Sequence, residues 1–423
     1  MQLYGISLIL KDLNKTQNFK LMEIIQNITH FLEIVFFIYF GFAAIYIFVF
    51  AFVGLFSKKK KLVLPEKNRK FAVFIPGYKE DAVIYDVAQD ALNQNYPKDK
   101  YEVIVIADSF QPKTIERLKT LNIKVIEVSF EVSTKSKALN KAMSDLGDNF
   151  DVALILDADN MMKEDFISKI NIAFENGFTV VQGHRIAKNT NTPFAILDAI
   201  SEEVNNHIFR KGHRVLGFSS ALIGSGMAFE YSYFKKTMAN VNAVGGFDKE
   251  LELKLLKSRK KIEYLNDAIV FDEKIQKSDV FAKQRKRWLS AQFVYFGRYF
   301  FSGLYHLLFK GNIDFFDKVY QMVSPPRVLL AGLVTILTIL YGLIGLLFPD
   351  SVFLKFSISE WGIIFILVVL TFLLSIPGKF YNIKTLNALL TLPKAFIIMF
   401  SSLFKLKGAN KKFIHTEHGT TNP

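Results

Sequence analysis

The chain has 423 residues, 51% of them hydrophobic, and its 43 Phe are more than a purely soluble protein of two or three domains carries. Its formal charge of +14 gathers beside apolar stretches, at 58–70, 283–287 and 405–412, which suits anionic headgroups; no nucleic-acid motif accompanies it, so no nucleic-acid partner is expected. The absence of cysteine excludes disulfides, zinc-thiolate sites and thiol nucleophiles, and fits a reducing cytosolic face.

Residues 1–29 read as an N-terminal extension. Residues 30–56 are nearly uncharged, with Glu33 as the only acid, and exceed the roughly 20 apolar residues that a crossing needs. A signal peptide has an apolar region of about 7 to 15 residues and a small-residue cleavage site, so this segment is expected to remain as a transmembrane helix. Lys58 to Lys61, Lys67, Arg69 and Lys70 follow it, against Lys11, Lys15 and Lys20 before it. The positive-inside rule then places the N-terminus outside and residue 58 onward in the cytoplasm of a multi-pass protein of the cell (inner) membrane.

Residues 57–289 have the composition of a globular α/β domain. FAVFI at 71–75, YEVIVIA at 101–107, KVIEV at 124–128 and VALIL at 152–156 are predicted strands, with crossover helices such as 81–93 and 135–146 between them. Alternation of this kind predicts a mainly parallel, doubly wound sheet that binds ligands beyond the carboxyl ends of its strands. Residues 290–327 are expected to form interfacial amphipathic helices, because aromatics there mix with Arg298 and His306. Transmembrane helices are expected at 328–348 and 361–377. The stretch 386–404, with Pro393 and Lys394 at its centre, is interfacial or transmembrane, the former favoured, and 405–423 is a basic cytosolic tail. Within that tail, His415-Thr416-Glu417-His418 has no third metal ligand in sight and reads as polar.

The first predicted strand runs into Pro76-Gly77-Tyr78-Lys79-Glu80, the second into Asp108-Ser109, and the fourth into Asp157-Ala158-Asp159. On an extended segment residues i and i+2 point the same way, so Asp157 and Asp159 can share a hard divalent cation through oxygen ligands. Short D-x-D strings also occur in turns, where Asp bonds its own backbone, and the pair alone leaves both readings open. Gln284-Arg285-Lys286-Arg287-Trp288 reads as a juxtamembrane basic cluster with an aromatic anchor, or as cations for a diphosphate beside a ring that packs on substrate. Gly224-Ser225-Gly226 lacks the third glycine of a dinucleotide-binding loop.

Taken in order, Pro76 to Glu80, Asp108, Lys137-Ala138-Leu139-Asn140, Asp157-Ala158-Asp159, Gly224 to Gly226, Asp248 to Glu252 and Gln284 to Trp288 resemble the membrane-integrated, processive type of family 2 glycosyltransferases. That type includes cellulose, chitin and hyaluronan synthases. The resemblance implies a GT-A (Rossmann-like) α/β fold, an inverting mechanism, a UDP-linked or other nucleotide-diphosphate sugar donor, and Mg²⁺ or Mn²⁺. By position it implies that Glu80 and Asp108 contact the nucleoside, that Asp157 lies at the donor diphosphate and shares the metal, and that Asp159 ligates it. It further implies that Gln284, Arg287 and Trp288 hold donor phosphates and the acceptor end, with Gly224 to Gly226 shaping the acceptor pocket. Lys137 either supports the phosphates or is a solvated helix lysine.

The catalytic base is where the chain departs from the family. The family has Thr-Glu-Asp before Leu-Glu-Leu, and here Asp248-Lys249-Glu250 precedes Leu251-Glu252-Leu253, so Glu250 takes the place of the catalytic Asp, with Asp248 as the alternative. The implied acceptor is a growing polysaccharide or a glycolipid, with a homo-oligomer or export partner completing any path across the bilayer. The competing readings are a non-processive transferase acting on a lipid or lipopolysaccharide, and an inactive sugar-nucleotide-binding assembly subunit.

Overall fold

The computed structural model describes residues 2–58, 61–241, 243, 245–276, 278–349, 354–404 and 406, with 2–19 described by backbone alone. They form two compact units, Met1–Val49 with Pro325–Leu373, and Phe50–Ser324 with Leu374–Pro423. The expected basic tail, including His415 to His418, lies outside the described residues apart from Leu406.

After α1 (Gln2–Gly54) the second unit runs through β1 (Phe71–Tyr78), α2 (Ile84–Ala91), β2 (Tyr101–Asp108), α3 (Pro112–Leu118), β3 (Lys124–Val128), α4 (Lys135–Leu146), β4 (Val152–Ile155), β5 (Met161–Met162), α5 (Phe166–Glu175), β6 (Val180–Ala187) and α6 (Pro193–Asn205). A π-helix over Asn206–Gly212 leads into α7 (His213–Val215). Then come β7 (Met227–Glu230), α8 (Tyr231–Met238), α9 (Phe247–Lys257), β8 (Glu263–Asp272), α10 (Ser278–Lys310) and α11 (Ile313–Val323). Helices α12 (Arg327–Leu347) and α13 (Ile358–Ser375) supply most of the remainder of the first unit, and α14 (Ile383–Leu389) and α15 (Leu392–Leu403) belong to the second.

The eight strands form one sheet in the order β3-β2-β1-β4-β7-β6-β8-β5. The four predicted strands are its parallel half, β3 to β4. The other half is mixed: β7 runs antiparallel to both β4 and β6, β6 and β8 are parallel, and β5 is antiparallel to β8. Near-continuous apolar runs are what a sheet covered on both faces requires. Phe74, Ile104 and Ile155 enter one core with α4, α8 and α9, whereas Val73, Val105 and Leu154 enter the other with α2 and α5. Burying each such side chain contributes about 1.5–3 kcal/mol. This is the α/β, GT-A arrangement that the motifs implied.

Among the described residues three helices are long and apolar enough to cross a membrane, Lys20–Gly54, Arg327–Leu347 and Ile358–Ser375. The ambiguous stretch at 386–404 is α14 and α15, bent by 42° at their junction. Pro393 stands in the first turn of α15, where its missing N–H costs nothing. One difference from expectation matters for the site. Gln284 to Trp288 and the aromatic stretch after it are one continuous 33-residue helix, α10, with Leu289, Tyr295 and Tyr299 buried and Phe301, Leu308 and Phe309 exposed.

Candidate active site

The paired acids sit just past β4, on a turn closed by the Asn160 N–H to the Asp157 carbonyl at 3.1 Å, and not on an extended segment. The turn reading therefore holds, and the turn still leaves the two acids close enough to share an ion. Asp157 and Asp159 are joined by Asp272, the last residue of β8, and the three offer carboxylate oxygens within 4.8 Å of one another. Asn160, wholly buried, organises them: its Nδ2 donates to Asp159 Oδ1 (3.1 Å) and Asp272 Oδ1 (3.0 Å), while its Oδ1 accepts from Ser225 Oγ. Two like charges about 4 Å apart repel by roughly 4 kcal/mol at an effective dielectric near 20, so such a cluster requires compensation.

Cations supply it. Arg185 on β6 lies 3.3 Å from Asp272, 3.8 Å from Asp157 and 2.9 Å from Glu202 of α6. Lys274 donates to Asp272 Oδ2 at 2.6 Å, and Lys188 to the Asp159 carbonyl at 3.0 Å. Burial pushes the Asp272 carboxyl up, but Arg185 and Lys274 outweigh it and hold it below its ordinary value. Burial likewise opposes the charge of Arg185, and Asp272, Glu202 and Asp157 together raise it. An all-carboxylate donor set suits a hard divalent cation. Asp157, Asp159 and Asp272 fit such an ion.

Ser225, between two glycines with φ of 89° and 61°, accepts from the Asp157 N–H at 2.9 Å. Only glycine adopts such backbone angles without strain, which is what these positions require. Buried Gln182 fastens the loop, donating to the Ser225 and Gly226 carbonyls and accepting from Ile223 N–H. Lys135, the first residue of α4, pairs with Asp157 and donates to the Gly224 carbonyl at 2.9 Å. The lysine named from the sequence, Lys137, instead donates to the Val132 carbonyl at 2.8 Å on an exposed edge.

On α9 the two candidate bases diverge. Positions two apart on a helix differ by about 200° and cannot share a face. A Cβ at Gly224 would stand 3.9 Å from Asp248 Cγ, which places Asp248 against the glycine loop. Glu250 is buried, with Arg298 at 3.3 Å and Lys254 at 3.6 Å from its Oε1. Burial of Arg287 on α10 pushes its pKa down, against the opposing pull of the Asp157 and Asp248 charges. Gln284 Oε1 is buried without a hydrogen-bond partner among the described residues, and the Arg285 guanidinium lies over Trp288 at 4.4 Å.

Glu80 lies just past β1 and Asp108 ends the adjacent parallel β2, with Tyr78 paired to Asp108 in register. Lys79 and Ser109 both take left-handed backbone angles (φ 56° and 59°), and the Lys79 N–H donates to the Asp108 carbonyl at 3.1 Å. Non-glycine residues held there store strain, which clusters at binding crevices. The sequence reading missed Asp272, Lys135, Lys188 and Lys274. Asp272 had a signal: it follows the apolar segment AIVF as Asp157 follows VALIL.

Residues 68–291 match the family described as Glycosyltransferase like family 2, just over half of the chain. A curated relative, the probable glycosyltransferase YdaM of Bacillus subtilis (strain 168), is 25% identical over 233 residues, which are 52% of this chain and 54% of that protein. The chain thus spans about half the length of the curated relative it matches. Among solved structures it is similar to the mannosyltransferase PcManGT from Pyrobaculum calidifontis in complex with GDP-Man and Mn²⁺, at 15% identity over 78% of this chain and 97% of that one, with a TM-score of 0.44. It is also similar to glucosyl-3-phosphoglycerate synthase from Mycobacterium tuberculosis, at 15% identity over 48% of this chain and 70% of that one, with a TM-score of 0.35. By the match that runs from just before β1 into α10, this chain belongs to the glycosyltransferase like family 2.

Proposed function

We propose that this chain is a membrane-bound glycosyltransferase that moves a sugar, with inversion, from a UDP-linked or other nucleotide-diphosphate donor to a hydroxyl of a growing polysaccharide or glycolipid at the cytosolic face, adding units processively. The observation that carries the reading is the convergence of Asp157, Asp159 and Asp272, with Lys135 and Arg185 paired to Asp157 and Asp248 set against Gly224 of the adjoining loop. A bound Mg²⁺ or Mn²⁺ supplies charge neutralisation for the departing diphosphate. Lys135, held at Asp157, and Arg287 add positive charge, and Glu80 and Asp108 at the ends of β1 and β2 receive the nucleoside.

Asp248 takes the proton of the acceptor hydroxyl. It is favoured over Glu250 because Asp248 stands at the glycine loop, whereas Glu250 is engaged by Arg298 and Lys254. The partnerless Gln284 carbonyl offers an acceptor to a sugar hydroxyl, and Trp288 a surface for the acceptor ring. Three apolar helices and the basic run from Lys58 support a cytoplasmic domain held on the inner membrane, with a homo-oligomer or export partner completing translocation.

The test is turnover of the full chain in detergent with UDP-glucose, UDP-galactose, UDP-N-acetylglucosamine and GDP-mannose, each with Mn²⁺ and membrane-extracted acceptors. Nucleoside diphosphate should be released with at least one donor, and Asp159→Ala should abolish that release. No release with any donor would sink the enzymatic reading. Mass analysis of the product reads processivity, since single additions throughout the time course would move the chain to the non-processive class.

A further inference from the structure

Glu252 lies one turn beyond Asp248 on α9, on the same face of the helix, and is almost wholly buried. Its Oε1 receives the Lys318 ammonium of α11 at 2.8 Å. Lys318 also donates to Gln321 Oε1 at 3.2 Å. An ammonium has only protons to give, so Gln321 turns its amide nitrogen the other way, toward Asp317 Oδ2 (2.8 Å) and His213 Nε2 (3.1 Å). His213, fully buried, has Asp317 Oδ2 at 3.3 Å, faces the Ile208 carbonyl of the π-helix through Nδ1 at 2.8 Å, and stacks on Phe50 at 3.7 Å.

The π-helix that receives His213 also supports the metal side of the site. Arg210 on it donates to Asn206 Oδ1 at 2.7 Å, and Asn206 Nδ2 donates to the Arg185 carbonyl at 2.9 Å. Arg185 is the cation between Asp157 and Asp272. One polar path, buried at Glu252, Lys318 and His213 and partly buried at Gln321, therefore begins on the helix of Asp248 and ends on the backbone of Arg185. π-turns of this kind are rare and concentrate at functional sites, because they change the register of everything after them.

We propose that Glu252, Lys318, Gln321 and His213 form a positioning relay that sets Asp248 in register with the Arg185-supported carboxylate cluster. None of the four touches the reacting atoms. A buried ion pair is a poor source of stability, since an apolar pair of similar volume is commonly neutral or better. What the Glu252–Lys318 pair supplies is a single setting of α9, and a base displaced by about 1 Å costs on the order of a hundredfold in rate. This inference rests on Asp248 as the base.

The apolar replacement separates placement from stability. The full-length double variant Glu252→Leu/Lys318→Met is compared with the unaltered chain for melting temperature, for nucleoside-diphosphate release from whichever of the four donors turns over, and for donor KM. The relay predicts a melting temperature at or above that of the unaltered chain, donor KM within about twofold, and kcat lowered about ten- to a hundredfold. Glu252→Gln, which removes only the charge, carries the same kcat test if the double variant does not fold, and Lys318→Arg should restore most of the rate that Lys318→Met loses. Unaltered kcat in the double variant, or in Glu252→Gln when the double does not fold, overturns the relay. Asp248→Asn is run in parallel: full turnover there removes the base reading, whereas an inactive Asp248→Asn beside a fully active relay variant removes the relay alone.

Discussion

At Asp157 one carboxylate oxygen meets Lys135 and the other faces Arg185, while its backbone N–H is held by Ser225. Asp272 is as central, because it shares Asn160 with Asp159 and completes the cluster. Asp272→Asn keeps the shape and removes one of three charges, so Mn²⁺ affinity measured by electron paramagnetic resonance should fall at least about tenfold. For the base, Asp248→Asn should lower kcat about 10²- to 10⁴-fold with donor binding retained, and Glu250→Gln should stay within a few-fold of the unaltered chain. The reverse ranking in the same turnover assay would return the base to Glu250. Asp157, Asp159, Asp248 and Arg287 could be named as candidates from the sequence, Asp248 as the alternative to Glu250, because each falls in a motif whose spacing is local. Lys135 was passed over for Lys137 because both lie in one polar stretch, and only the fold shows which ammonium reaches Asp157.

Among the elements, the four parallel strands could be read as apolar runs, since burial on both faces leaves them no polar alternation. The four-residue β7 and two-residue β5 are too short for any pattern to declare them, and they are what make the sheet mixed. The π-helix at Asn206–Gly212 left no sequence mark either, because its register is imposed by packing. Gly212 on it meets the end of α1 so closely that a Cβ would stand 2.2 Å from the Phe50 carbonyl oxygen. Gly212→Ala should therefore cost at least the ~1–3 kcal/mol typical of overpacking, since the obstacle is backbone and cannot rotate away. A thermal melt of the purified chain checks this, and an unchanged midpoint would show that the two segments part without penalty. Phe50 also stacks on His213, so the same substitution should lower turnover as well.

For the whole molecule, composition announced apolar helices beside a globular domain, and the described residues include three helices of sufficient length. What composition could not convey is the role of Glu33, the lone acid of the first apolar run. It is buried in the first unit, accepting from the Tyr341 hydroxyl of α12 and, at 2.8 Å, from the Lys355 N–H just before α13. Glu33→Leu leaves both donors without an acceptor, at about 1–3 kcal/mol each, whereas Glu33→Gln keeps one acceptor oxygen. The expected order of thermal stability in detergent is the unaltered chain, then Gln, then Leu; equal midpoints for all three would show that water takes over the carboxylate's role. In the second unit the unbroken course of α10 makes it a ruler. Trp288, next to Arg287, and exposed Tyr305 are separated by about 26 Å along a single axis at 1.5 Å per residue. Distance and rotational phase between the two ends are thereby locked together: one residue inserted between them would lengthen the rod by only about 1.5 Å but swing its aromatic end through about 100°.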